Sequence, residues 1–347
     1  MLREIPFMNA VVVLVDDDEE TDVQYLVNTR AGVARIDEDI DLNLVAFPGL
    51  FSRFLSFRGE VPWGVARLDL GRLPYTGRGV RVAVLDTGID TRHPDLRTVA
   101  REGHSSMEGG KGTADDNGHG THVAGTIVAQ RTGRGVVGVS PGATVYAVKT
   151  LDRNGSGKLS NLIDGIGWCV QNRIRVMNLS LSSSTENQTF RDAVAAARRA
   201  GITLVCAAGN NGPGPNTVGY PAKFPESISV GAINKDSEIA SFSARGQELT
   251  LAAPGVDIKS TWLRRSYKTI SGTSMAAPHV TGVVALMLEA DPSLTPSDIK
   301  AVLQSTALRL DGFKTEEQGA GVIDAAAAVQ KVGRKRPVPL RTEVVNA

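Results

Sequence analysis

The segment Val80-Arg81-Val82-Ala83-Val84-Leu85-Asp86-Thr87-Gly88 is an apolar run broken by a single arginine and closed by an aspartate, a threonine and a glycine. An apolar run without polar alternation is what a strand buried on both faces of a parallel sheet requires. Comparable runs recur at Thr144–Val148, Arg175–Leu179, Thr203–Ala207 and Ser227–Val230. Helical periodicity fills most of the intervals, at His122–Gln130, Asn161–Asn172 and Thr189–Ala200. This alternation predicts an α/β fold: a doubly wound, mostly parallel central sheet with helices on both faces and functional groups at the carboxyl ends of its strands. Asp86 stands at such an end.

A second stretch, Ser271-Gly272-Thr273-Ser274-Met275-Ala276-Ala277-Pro278-His279-Val280-Thr281-Gly282, opens a helix that runs apolar through Leu288. Ser274 is read as the cap of that helix, where backbone N–H groups and the helix dipole favour an oxyanion. Gly272 admits a substrate backbone, and Pro278 fits a first turn because its missing N–H has no partner there. Serine before a helix is most often an ordinary cap, but two further segments change its meaning. Asn117-Gly118-His119-Gly120-Thr121-His122 opens a helix with an imidazole in its first turn, and Ala207-Ala208-Gly209-Asn210 puts a side-chain amide at another strand end. Carboxylate, imidazole, amide and hydroxyl together can run acyl transfer. Ser274 attacks a carbonyl, His119 takes and returns the proton, Asp86 holds the ring, and Asn210 with the Ser274 N–H receives the oxyanion. Activity is then expected to fall on the acid side as the imidazole takes up its proton.

The 347 residues are 41% hydrophobic and 22% charged with a net charge of +1, enough for a large core and without the global charge that nucleic acid or an anionic membrane surface calls for. The charge is uneven: residues 1–57 carry a net −7 and residues 331–347 a net +4. An acidic front piece on a slightly basic body suggests a separate module that docks on it. Strand patterns at Asn9–Val15, Val33–Ile40 and Leu42–Phe47 and helical patterns at Glu20–Thr29 and Leu50–Leu55 make residues 1–57 a small α+β module. Residues 58–333 are then the catalytic domain, after the breaker-rich Val61-Pro62-Trp63-Gly64, and residues 334–347 a basic tail. The longest apolar runs, Ala10–Val15 and Val280–Leu288, fall short of the ~18 residues of a membrane span. No secretory cleavage pattern follows Met1, which favours a cytoplasmic location without excluding secretion. Cys169 and Cys206 lie in apolar surroundings and read as buried free thiols.

Through Asp86-Thr87-Gly88, His119-Gly120-Thr121-His122 and Gly272-Thr273-Ser274-Met275-Ala276, from about Val61 to Ala328, the chain resembles the subtilisin-like serine proteases. The resemblance implies a serine endopeptidase of broad specificity, acting on peptides or proteins and needing no cofactor for its chemistry, with Asp86, His119 and Ser274 catalytic and Asn210 in the oxyanion hole. It further implies that Gly155, Ser156 and Gly157 on one side, and Ser180, Leu181 and Ser182 with Gly209 on the other, bind substrate. Ser182 and Ser183 stand where glycines are usual, which should narrow that edge. A structural Ca²⁺ ion is implied at Asp95, yet Thr132 and Gly59 stand where asparagine and glutamine ligands are expected, and a hard cation wants six to eight oxygens. The front module resembles an abbreviated propeptide, an intramolecular inhibitor of a monomeric, self-processing zymogen, with Phe57 expected at the P1 position of the cleft and Phe54 at P4. His93, His104, His122 and His279 read as packing or loop residues. The rival readings are a catalytically silent peptide-binding protein on the same fold, an aspartic protease lacking its second Asp-Thr-Gly, and a serine-carboxyl peptidase, against which His119 speaks.

Overall fold

The computed structural model describes residues 3–8, 10–12, 35, 37–48, 59–107, 112–133 and 135–333. Its centre is a seven-stranded sheet in the order Leu251–Pro254, Ile228–Ile233, Thr203–Ala207, Val176–Leu179, Arg81–Asp86, Thr144–Lys149 and Ala100–Ser105. Every neighbouring pair is parallel. Side chains alternate across it as strand geometry demands. Val82 and Val84 join Val123, Ile127, Val280 and Val284 of the helices His119–Val128 and Thr273–Ala290 on one face. Ala83 and Leu85 join Leu162, Ile166, Phe190 and Val194 of the helices Leu159–Gln171 and Gln188–Arg199 on the other. Each fully buried Val, Leu, Ile or Phe contributes about 1.5–3 kcal/mol, so these two layers hold the sheet. The doubly wound α/β architecture is therefore present, with helices on both faces.

Residues of the front piece touch this body at defined points. Asp37 accepts from the backbone N–H (3.0 Å) and the hydroxyl of Thr189, and Asp39 from the N–H and hydroxyl of Ser160 at 2.7 and 2.6 Å. Thr189 and Ser160 lie in the first turns of the two helices on that face, where unpaired N–H groups and the dipole attract carboxylates. Ile5 is buried in the same apolar layer. The uneven charge seen in the sequence thus has a local use. The expected helices Glu20–Thr29 and Leu50–Leu55 and the basic tail lie outside the described residues, as do Val33, Ala34 and Ile36 of the expected strand Val33–Ile40, whose described residues, Arg35 and 37–40, are not in a strand.

Candidate active site

Asp86 ends its strand fully buried, and both its carboxylate oxygens lie 2.9 Å from Nδ1 of His119, which is 2% exposed. The approach depends on glycine: a Cβ on Gly120 would stand 2.1 Å from the Gly88 carbonyl oxygen. The helix begins at His119, three residues earlier than its apolar periodicity predicts. Asp115 supplies the reason. Its Oδ1 accepts from the Thr87 hydroxyl and from the N–H groups of Asn117 and Gly118, and its Oδ2 from the N–H and hydroxyl of Thr121, all at 2.6–3.0 Å. One carboxylate therefore ties the turn after Asp86 to the turn that launches His119. The sequence reading missed Asp115, although an aspartate followed by Asp-Asn-Gly is the usual signal for a side chain that gathers backbone donors. Lys149, also missed, is buried, donating to the Thr87 carbonyl and to Asp116.

Ser274 is buried and lies inside the helix Thr273–Ala290, with Gly272 at the cap position expected for the serine itself. Pro278 falls in the second turn, beyond the range where a missing N–H is free of consequence. The carbonyl it leaves without a helical donor is that of Ser274, which accepts from the Ser180 hydroxyl at 2.9 Å. In return the Ser274 hydroxyl donates to the Ser180 carbonyl at 2.9 Å. The Nε2 of His119 is buried without a hydrogen-bond partner among the described residues. The Asn210 carbonyl oxygen accepts from the N–H and the hydroxyl of Thr273 at 3.0 and 2.9 Å, which fixes the amide and leaves its NH₂ for the cleft.

The cleft holds chain. Asp41–Leu44 lies between Ser156–Lys158 and Leu181–Ser182 as the central strand of a three-stranded antiparallel sheet, with Asn43 opposite both Ser156 and Ser182, Leu42 opposite Gly157 and Leu44 opposite Leu181. Leu44 also donates its N–H to the Gly155 carbonyl at 3.0 Å. The two edges expected to hold substrate backbone thus hold residues 41–44. The Val45 carbonyl then reaches the N–H of Ser274 at 3.4 Å. A Cβ placed on Gly272 would stand 2.6 Å from that Val45 oxygen and 3.2 Å from the Asn210 amide nitrogen, so only glycine leaves this passage open. Beyond it, Phe47 and Pro48 pair antiparallel with Ser271 and Ile270. The sequence makes Leu42–Phe47 a strand of a separate front module; in the structure Asp41–Leu44 and Phe47–Pro48 pair instead with residues 156–158, 181–182 and 270–271. Phe54 and Phe57, expected in the cleft, lie outside the described residues.

The Asp95 carboxylate does not suit a calcium ion. It is 1% exposed and already accepts from the Thr132 hydroxyl at 2.9 Å, the Val136 N–H at 3.1 Å and the Tyr267 hydroxyl at 2.9 Å. An N–H cannot ligate a cation, and the nearby carbonyls of Gly133 and Gly135 accept from Gly59 and Glu60. No group of three or more His, Cys, Asp or Glu able to hold a metal occurs among the described residues. Burial pushes the His122 imidazole down to about 3 and that of His279 to about 4, and the Nε2–H of His122 donates to the carbonyls of Ile258 and Lys268, as packing residues do. Both cysteines are buried free thiols, with Cys206 pushed up to about 12 by burial.

Residues 77–325 match the model of the subtilase family. The chain is 39% identical over 333 residues to M-protease of Shouchella clausii, covering 93% of this chain and 86% of that protein. It is 43% identical to Subtilisin Savinase of Lederbergia lenta, covering 78% of this chain and 99% of that protein. It is 44% identical to Subtilisin E of Bacillus subtilis, covering 78% of this chain and 72% of that protein. With its parallel sheet, its strand-end aspartate and its helix-borne histidine and serine, the chain belongs to the subtilase family of serine endopeptidases.

Proposed function

We propose that this endopeptidase is made as a zymogen whose first substrate is its own front segment, cut between Val45 and Ala46 by Ser274, His119 and Asp86. The observation that carries the reading is the Val45 carbonyl facing the Ser274 N–H and the Asn210 amide, with residues 41–44 paired on both sides as a substrate backbone would be. The Ser274 hydroxyl turns from the Ser180 carbonyl toward Nε2 of His119, gives it the proton and attacks the Val45 carbonyl carbon. The oxyanion forms between the Ser274 N–H and the Asn210 amide. His119 then hands the proton to the Ala46 nitrogen, the Val45–Ala46 bond breaks, and water releases the acyl group from Ser274 by the same route. Asp86 holds the ring so that Nε2 faces the serine and stabilises the imidazolium.

In this reading the boundary lies at Val45–Ala46 and not after Phe57. Residues 1–45 then remain as a product-like inhibitor, held by the strand pairing and by Asp37 and Asp39 at the helix starts. Peptides and proteins in extended form are the further substrates, and Asp95 serves as a hydrogen-bonded tie without a metal. A fluorophosphonate probe tests the chemistry. The processed chain should gain the probe's mass on a peptide containing Ser274, and Ser274→Ala and His119→Ala should not. Equal labelling of wild type and His119→Ala would overturn the roles assigned.

A further inference from the structure

Beside His119 lies an open hollow of about 370 Å³, lined on the cleft strand by Leu44 and Ala46 and on the far wall by Trp262, Lys268 and Ile270. Leu44, the last residue of its strand, and Ala46, two residues on, both line this hollow. Leu44 packs at one end, where a Cβ on Gly155 would stand 2.5 Å from its Cδ1. Ala46 belongs to the other end, because the chain leaves it to pair Phe47 and Pro48 with Ser271 and Ile270. Ile270 and Lys268, two apart on the strand Ser266–Ser271, line the same wall.

Lys268 is held there. A Cβ on Gly118 would stand 2.4 Å from the Trp262 ring, so the indole lies against the backbone one residue before His119. The Lys268 ammonium sits over that indole, 4.2 Å from the ring centroid, a cation–π contact that keeps the charge at the wall of the hollow. The other polar side chains of the lining are Asn43, Asn117, Asn154 and His119 itself, and no carboxylate lines it among the described residues. Ala46 offers only a methyl to this space.

We propose that Lys268 gives the leaving-group side of the cleft a preference for glutamate or aspartate as the residue directly after the scissile bond. The inference rests on the reading of Val45 and Ala46 as flanking that bond. A side chain carboxylate in place of the Ala46 methyl enters a hollow whose wall carries an anchored ammonium, whereas a lysine there meets a like charge. An accessible pair of this kind changes rates about two- to five-fold, and salt weakens it.

The test uses quenched fluorescent peptides with the sequence of residues 41–48, unchanged or with Ala46→Gln, Ala46→Glu or Ala46→Lys, cleaved by the self-processed full chain. The expected order of kcat/KM is Glu above Gln above Lys, the Glu-to-Gln ratio being about two- to five-fold at low salt and shrinking in 0.5 M NaCl. Lys268→Met, which keeps the stem on Trp262, should bring the ratio close to one, and Lys268→Arg should preserve it. A Glu-to-Gln ratio of one or less in the wild type, or an unchanged ratio in Lys268→Met, overturns the inference while leaving the proposed cleavage standing. Cleavage after a residue other than Val45, or none above the Ser274→Ala control, instead overturns the reading on which it rests.

Discussion

Ser180 and Ser274 exchange hydrogen bonds: the hydroxyl of each donates to the carbonyl of the other at 2.9 Å. Pro278 makes this exchange necessary, since a proline four residues on leaves the Ser274 carbonyl unpaired inside a buried helix. The link between the strands Val176–Leu179 and Leu181–Ser182, where Ser180 stands, is thereby locked to the first turn of the helix that carries Ser274. Removing the Ser180 hydroxyl should cost about 1–3 kcal/mol, the penalty of a buried unsatisfied carbonyl. Denaturant unfolding in the Ser274→Ala background, which prevents self-digestion, measures it. Pro278→Ala restores an N–H, so Ser180→Ala should cost less in its presence; equal costs would disprove the link.

Asp115 acts through the histidine turn and does not touch the reacting atoms. In Asp115→Asn an NH₂ replaces one of two oxygens that face only donors, so the Thr87 turn and the His119 turn lose their common anchor. A misplacement approaching 1 Å costs about 10²-fold, and it should appear in kcat with KM barely moved. A rise in KM at constant kcat would mean that Asp115 serves binding instead.

His122 and His279 stay neutral in the fold because burial lowers them to about 3 and about 4. The unfolded chain protonates them near ~6.5, so acid favours unfolding. Stability should be level above that pH and fall by about 1.4 kcal/mol per unit for each histidine as pH drops toward 4. Urea midpoints of Ser274→Ala between pH 4.5 and 7.5 report the slope, which His279→Gln should make shallower between pH 4.5 and 6.

The three donors on Asp95 make EDTA a direct probe of whether this tie needs a metal. The melting temperature of Ser274→Ala should be the same in EDTA and in millimolar CaCl₂, and Tyr267→Phe should lower stability by about 1–3 kcal/mol by stripping a donor from a buried carboxylate. A melting temperature that rises with calcium would show that Asp95 gives up its hydroxyl partners for the ion.

Much of this architecture was legible because its signals are local. Val82 to Leu85 announced a two-sided buried strand, and Asp86, His119 and Ser274 each follow or open an element that composition and spacing reveal. What escaped is what depends on neighbours. Ala100–Ser105 reads Ala-Arg-Glu-Gly-His-Ser, since an edge strand with Arg101 and Glu102 in solvent needs no apolar run. Leu251–Pro254 is short and ends in proline, which an edge position tolerates. Asp41–Leu44 shows strand periodicity, but no periodicity names Ser156 and Ser182 as the partners of Asn43. The start of the histidine helix was legible in Asn117–His122, but the Asp115 carboxylate that gathers its turn was not.

The central claim is that the Val45–Ala46 bond lies in its own active site, and intact-mass analysis with N-terminal sequencing of the purified chain addresses it most directly. Wild type should begin at Ala46, with residues 1–45 as a separate fragment, while Ser274→Ala stays whole. A wild-type chain uncut at Val45–Ala46, or the same cut in Ser274→Ala, would contradict the account.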